Sequence, residues 1–353
     1  MQDYVVRGSE YSSFLRCRKQ WQYQWLDNME LKRPDGKLFL GTVVHKFLEY
    51  YHTLKDFTMA FNKLEMYYKA QDLSAMEQID IDELWNKTVE LVTYYHETYE
   101  SDLVNWNVLA TEITFLVKME QNIYMTGTID LVLEDEYGQL KFMDHKTVAS
   151  IQMYEEKAQM DRQISRYWWA LQMIIDGIGR IKCPDTGNWI RWNKLEGKTI
   201  SGFIYNLIGK EVPKEPEILK KGGLSKNKAQ KTTYKLYLKA LRKHGLNELD
   251  YEDMLHHLSD KGNPFQKRVE VTRSVEEIES AAYEFFYTAC DMHDVKLLME
   301  NSPQAKEQLT YRNITHDCMH MCQFKSLCQA AINGDDVEFT KNMLFRQREM
   351  EEV

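Results

Sequence analysis

From residue 9 to 26, SEYSSFLRCRKQWQYQWL, apolar and aromatic side chains recur at helical spacing behind a serine, which predicts one capped helix. A second helix is expected from about Gly41 through TVVHKFLEYYHTL. Helical periodicity with few breakers then continues over about 55–105, a helical insertion. Between 111 and 147 the period changes to that of strands, in TEITFLVKM, IYMTGTIDLVLED and LKFMDHKTV. The turn EDEYGQ separates the last two as in a hairpin. A helix, MDRQISRYWWALQMIIDG, is ended by Gly177, and ISGFIYNLIG reads as a further buried strand. FQKRVEVTRS alternates like an edge strand, and the chain from Val275 to Met299 reads as a long helix. The tail 336–353 is charged and expected to be peripheral. The core order is therefore helix, three strands, helix, strand, an α/β arrangement.

Composition fits this pattern. A 353-residue chain that is 43% hydrophobic and 12% aromatic can bury a sizeable core, as one large domain or two. The start, MQDYVVRGSEYSSF, has no basic region followed by an apolar run, so no signal peptide is expected. No apolar run is long enough to cross a membrane. A cytoplasmic protein is the expectation. The net charge of −9 is unevenly placed: Ile218–Gly245 carries nine Lys/Arg and no Asp/Glu, leaving the rest of the chain at −18. That stripe, with Lys226, Lys228 and Lys231, is either an electrostatic footprint for phosphates or a solvated face.

Two acids stand inside apolar strands, Asp130 in GTIDLV and Asp144 in FMDHKT. A carboxylate there costs several kcal/mol unless paired or coordinated. Two on adjacent strands repel unless a cation lies between them, and hard oxygen ligands suit Mg²⁺ or Mn²⁺. Lys146 leaves the same strand face as Asp144, because the side-chain period is two. Such an ammonium can stabilise charge on a reacting phosphate; the alternative is a salt-bridged pair on a half-exposed hairpin. In the following helix Gln163 and Tyr167 lie at i and i+4 on one face.

The ordered set GTVVHKFLE, GTIDLV, DHKT and QISRY resembles the PD-(D/E)XK nuclease superfamily, and within it the RecB-like exonuclease group. The resemblance runs from about Ser9 to Ile208. It implies a restriction-endonuclease-like αβββαβ core with a central mixed sheet flanked by helices. The nuclease domain would span 1–335, with its catalytic core at about 110–210. It also implies that Asp130 and Asp144 ligate the metal, that His45 joins them through a ring nitrogen, and that His145 offers its backbone carbonyl. Glu112 on the first strand sits where the family often has a further acid. Lys146 would be the catalytic lysine, and Gln163 and Tyr167 would position nucleic acid or the catalytic centre. Ile129 stands where the family's motif nominally has proline.

Half of the six cysteines, Cys318, Cys322 and Cys328, cluster in HDCMHMCQFKSLCQAA, within a C-terminal segment 316–330. One branch of the family, which includes AddB-type repair nucleases and CRISPR-adaptation nucleases, brackets its core with four cysteines that bind a 4Fe–4S cluster. By that resemblance Cys17 is the fourth ligand, although the first gap here is x3 rather than x2. Joining residue 17 to the C-terminal trio would close a loop of about three hundred residues, worth about 5 kcal/mol on a loop-entropy estimate. Zinc held by the trio with His316 or His320 is the alternative. Cys183 and Cys290 read as ordinary thiols.

The implied activity is a metal-dependent DNA exonuclease working on ends or single strands, in repair, recombination or phage DNA metabolism. Arg166 and the basic segment would contact phosphates. Trp168 and Trp169 read as core residues or as stacking platforms. The chain has no G-x-x-x-x-G-K-[ST] motif, so unwinding would fall to a helicase or recombination partner. A DNA-binding scaffold and an endonuclease of the same superfamily are the other readings.

Overall fold

The computed structural model describes residues 3–33, 36–73, 76–320 and 322–348. A short strand, β1 (Tyr4–Arg7), leads into helix α1 (Gly8–Arg16). The single helix expected over 9–26 is broken at Cys17, whose backbone is extended (φ −164°, ψ 115°). A four-residue turn, Arg18–Trp21, and a π turn, Gln22–Leu26, follow. The cause is tertiary. The backbone N–H of Lys19, which a continuous helix would direct to the fourth residue back, donates instead to the Tyr311 carbonyl at 3.1 Å.

After β2 (Met29–Leu31) come α2 (Gly36–Leu54), α3 (Phe57–Lys69) and α4 (Gln78–Tyr99). Helix α2 begins a turn or more before Gly41. The three helices bury Phe47, Tyr51, Leu64, Leu91 and Tyr95 in a core of their own, which meets the sheet at Ile208. The central strands are β3 (Asn107–Lys118), β4 (Ile123–Glu134) and β5 (Leu140–Val148). Helices α5 (Ile151–Ala158) and α6 (Arg162–Ile175) follow, then β6 (Arg180–Lys182), β7 (Trp189–Ile190) and β8 (Ile200–Gly209). Helices α7 (Tyr234–Lys243) and α8 (Glu252–Lys261) form a small lobe around Tyr237, Leu241 and Met254. Strand β9 (Gln266–Val271) and the long α9 (Val275–Asn301) complete the main body.

The sheet runs β7-β6-β3-β4-β5-β8-β9, with β1 beside β4. Strands β3, β4 and β5 form an antiparallel meander, whereas β5 and β8 are parallel and joined through α6, so the sheet is mixed. Strand β9 lies at the edge, as its alternation predicts. The larger core, including Phe115, Phe142, Leu171, Phe203 and Phe285, lies between the sheet and α1, α6 and α9. A mixed sheet flanked by helices, with an extra helical insertion, is the architecture anticipated for the centre of the chain.

One edge of β4 positions the site. Strand β1 pairs with it over Ile123–Thr126, and β5 pairs with it only over Leu131–Glu134. The β4–β5 ladder ends at Leu131 opposite Met143, after which β5 continues alongside β8 alone. The strands fork there, and Asp130 and Asp144 are the next residue on each prong.

The tail, expected to be peripheral, adds a two-stranded sheet apart from the main one. Helix α10 (Lys325–Asn333) leads to α11 (Val337–Leu344) and β10 (Phe345–Gln347), and β10 pairs antiparallel with β2. Phe345 is buried against Phe324, ring centroids 5.3 Å apart and nearly parallel. One aromatic residue and an available strand edge are enough to dock a segment whose composition reads as solvated. None of the described helices is long and apolar enough to cross a membrane.

Candidate active site

The fork gathers most of the predicted residues. His145, two residues past the end of the β4–β5 ladder, donates its backbone N–H to Asp130 Oδ2 at 2.7 Å. A carboxylate thus replaces the missing ladder acceptor. His45, from α2, places Nδ1 3.5 Å from the same oxygen. Glu112 belongs to β3, where the register Thr111–Leu131 and Ile113–Ile129 sets it across from Asp130. Its φ is +48°, a left-handed conformation uncommon for a non-glycine residue and costly inside a strand. His45, Glu112 and Asp130 each bring a ligand atom within 4.8 Å of the others. Asp144 lies outside that trio because its carboxylate turns to Lys146, with Nζ 2.7 Å from Oδ2.

Electrostatics at the fork favour a cation. Burial, then the charges of Asp144 and Glu112, raise the Asp130 pKa well above its ordinary value, against the opposing pull of Lys146 and the His145 N–H. Glu112 is pushed up to about 7, first by burial and then by Glu49, against the opposing pull of Lys46. Burial lowers the His45 pKa, so its ring is neutral and can offer a lone pair. Burial alone would depress the Lys146 ammonium, but Asp144 and Asp130 outweigh it and hold the pKa above the usual range. Buried acids that repel one another beside a neutral imidazole form an oxygen-rich donor set. A divalent cation fits it and would remove its repulsion.

A polar network lies behind the fork. The His145 ring is fully in the interior, its Nδ1 2.7 Å from Asn206 Nδ2 on β8. It stacks on His52 (5.8 Å, 2°), which in turn stacks on Trp106 (6.0 Å, 21°). Arg268 of β9 lies over Trp106 at 4.4 Å, donates to Tyr95 Oη at 3.2 Å and pairs with Asp102. Burial is the main reason that the His145 and His52 pKa values fall, so both rings stay neutral. Asn206, His52, Asp102 and Arg268 were not singled out by the sequence. The available signal was Asn206, a polar residue inside the apolar run FIYNLIG.

On the far side, α6 brings Gln163 and Tyr167 to the fork. Tyr167 is pushed up to about 12 by burial and then by Asp144, with Gln163 opposing the rise. Gly127 makes room for it: a Cβ there would stand 3.0 Å from both Tyr167 Oη and the Phe115 ring. Trp168 packs edge-on against Phe142 (5.7 Å, 86°), and Trp169 also packs against the core. Arg166 is buried on the same helix, its guanidinium 4.6 Å from the Tyr11 ring centroid.

The basic segment sits differently. Lys231 pairs with Glu211 and lines a cavity with Lys210 at the end of β8. Lys210 also lines the cavity of about 490 Å³ that holds His45, Glu112 and Lys146. Lys226 donates to the Asp250 carbonyl and covers the Tyr251 ring, and Lys228 is exposed. Neither lysine lines the cavities beside the fork.

At the opposite end of α1, Cys17, Cys318, Cys322 and Cys328 line one cavity of about 110 Å³. None of the six cysteines is in a disulfide. The break after α1 brings Cys17 there, with Sγ accepting from the Asn313 N–H at 3.4 Å. Burial raises the Cys322 and Cys328 thiols, and the other cysteines add to the effect. The His320 side chain lies outside the described residues, and His316 makes contacts within the chain.

A forked mixed sheet with acids, a histidine and a lysine at the fork is the frame of a phosphodiester-hydrolysing fold. The model of one family, the PD-(D/E)XK nuclease superfamily, matches residues 8–329, and the chain belongs to that superfamily. None of the curated proteins matches the chain.

Proposed function

We propose that the chain is a divalent-metal-dependent DNA exonuclease of the RecB-like kind, with the fork as its cleavage site. The observation that carries this reading is the set His45–Glu112–Asp130, within 4.8 Å, beside the Asp144–Lys146 pair. Asp130, Asp144, Glu112, His45 and the His145 carbonyl are the proposed ligands of Mg²⁺ or Mn²⁺. When bound, the cation supplies Lewis-acid polarisation of the scissile phosphate and activation of water. The residues of the chain do the rest. Neutral His45 and the three carboxylates hold the charge centre, and the His145 N–H fixes the orientation of Asp130. Lys146 Nζ, anchored by Asp144, stands ready to stabilise negative charge on the phosphate as it is attacked. Tyr167 bounds the site on the α6 side.

The four cysteines are proposed to hold a 4Fe–4S cluster that ties α1 to the C-terminal segment. What supports this reading is the convergence of Cys17 with Cys318, Cys322 and Cys328 on one cavity.

The test uses end-labelled linear DNA and a closed single-stranded circle with Mn²⁺. An exonuclease shortens the linear strand and leaves the circle intact. Cutting of the circle would make the protein an endonuclease, and binding without any cutting would make it a scaffold.

A further inference from the structure

A second cavity of about 590 Å³ adjoins the fork on the α6 side, walled by α1, β3, β4 and α6. Four of its lining residues are cations, Arg7, Arg16, Arg166 and Lys182, and none is an aspartate or glutamate. In a chain of net charge −9 that is a local reversal of sign. Gly8 and Ser9, the first residues of α1, also line it. Arg7, at the N-cap, makes no side-chain hydrogen bond to the first turn, so the amide groups at the positive end of the helix have no side-chain cap. The one acid of that turn, Glu10, faces the interior, where it accepts from Trp21 Nε1 at 3.1 Å and Lys296 Nζ at 3.2 Å.

Arg166 is the second observation. It is 6% exposed, and its Nε has no hydrogen-bond partner. It forms no ion pair with a carboxylate among the described residues, Asp161 acting on it through its charge alone, and its guanidinium lies over the face of the Tyr11 ring. A guanidinium in that position is costly unless an anion completes it. The cavity also reaches the fork directly. Thr114 and Thr128, 3.3 Å apart through their hydroxyls, line it, and they stand two residues from Glu112 and Asp130. Two residues along a strand is about 7 Å. Tyr167 is shared by both sites.

We propose that this cavity is a phosphate subsite, in which Arg166 and the N-terminus of α1 hold a phosphate of the DNA strand being cut at the fork. The inference rests on the nuclease reading and adds what selects the position of the strand. The phosphate is either a terminal monoester or an internal diester, and the experiment separates them.

The test is binding in EDTA, where no cutting occurs, of fluorescent oligothymidylates bearing a 5′-phosphate, a 3′-phosphate or hydroxyls at both ends. The full-length protein is titrated at several salt concentrations. Two variants are compared: Arg166→Met, which removes the guanidinium, and Ser9→Asp, which places a carboxylate at the cavity while favouring the helix through its dipole. Because Ser9 is exposed, the second variant keeps the test decisive if the first does not fold. Both variants are expected to bind about tenfold or more weakly. For Arg166→Met the slope of log K against log salt should fall by about 0.7, the value for one phosphate contact on a single strand. If the wild type prefers one phosphorylated end and the variants lose that preference, the bound group is a terminal monoester. Equal weakening for all three oligonucleotides identifies an internal diester. Wild-type affinity and slope in the folded variants overturn the subsite. Loss of the nuclease reading shows elsewhere, as failure to cut with Mn²⁺ while this binding persists.

Discussion

The backbone N–H of His145 donates to the Asp130 carboxylate at 2.7 Å, across the point where β4 and β5 part. This bond links fold and site. The strand separation frees an amide, the amide orients an acid, and the acid meets His45 and Glu112 in one donor set. Asp130→Asn retains an oxygen that can accept from His145 but removes the charge. The variant is expected to fold, with metal-free thermal stability equal to or above wild type, because one of the repelling carboxylates is gone. It should show no heat of Mn²⁺ binding in calorimetry and no cleavage. An unfolded variant would mean that Asp130 is structural first.

The pKa shifts give a pH dependence with a definite sign. Glu112 in the folded, metal-free protein titrates at about 7, against an ordinary 4.5. Between those values the folded state holds more protons than the unfolded one, so stability falls as pH rises. The loss from Glu112 alone approaches about 3 kcal/mol by pH 8. A divalent cation neutralises the ionised set. Mg²⁺ should therefore raise the melting temperature more at pH 8 than at pH 5.5, where it must displace protons. Thermal scans at both pH values, with Glu112→Gln as control, check this; an equal rise at both would contradict it.

Asn206 holds the ring of the residue whose backbone orients Asp130. Asn206→Ala is expected to weaken Mn²⁺ binding about 10- to 100-fold, as removal of an outer partner does at metal sites. Calorimetry reads this directly. The far-ultraviolet spectrum should be unchanged.

The cysteine cavity makes a visible prediction. Anaerobically purified protein should be brown and absorb broadly near 400 nm, and Cys17→Ser should lose the colour. Asp130→Asn should keep it, since the two sites are separate. A colourless protein with one bound zinc would remove the iron–sulfur assignment.

Much of the central frame was legible in the sequence. The strand alternation located Asp130, Asp144 and Lys146 and set Asp144 and Lys146 on one face, where they stand 2.7 Å apart. Glu112 was harder, because its approach depends on a left-handed backbone at one residue, which no periodicity encodes. The break at Cys17 follows from a hydrogen bond to Tyr311, almost three hundred residues away, and local helical propensity points the other way. The docked tail likewise depends on one distant partner. Phe345→Ala should cost about 3 to 5 kcal/mol if its ring is as buried as the packing on Phe324 indicates. A denaturant titration would measure that. The buried network through Asn206 and Arg268 joins three strands to the helical insertion, contacts that arise only once the sheet has closed.

The central claim is that the fork cuts phosphodiesters. Single-turnover cleavage of labelled single-stranded DNA with Mn²⁺, comparing wild type with Lys146→Met, tests it most directly. Wild type should cut, and the variant should bind Mn²⁺ comparably yet cut about 10²- to 10³-fold more slowly, the effect of losing one charge-stabilising group. Equal rates for the two, or no cutting by the wild type, would contradict the account.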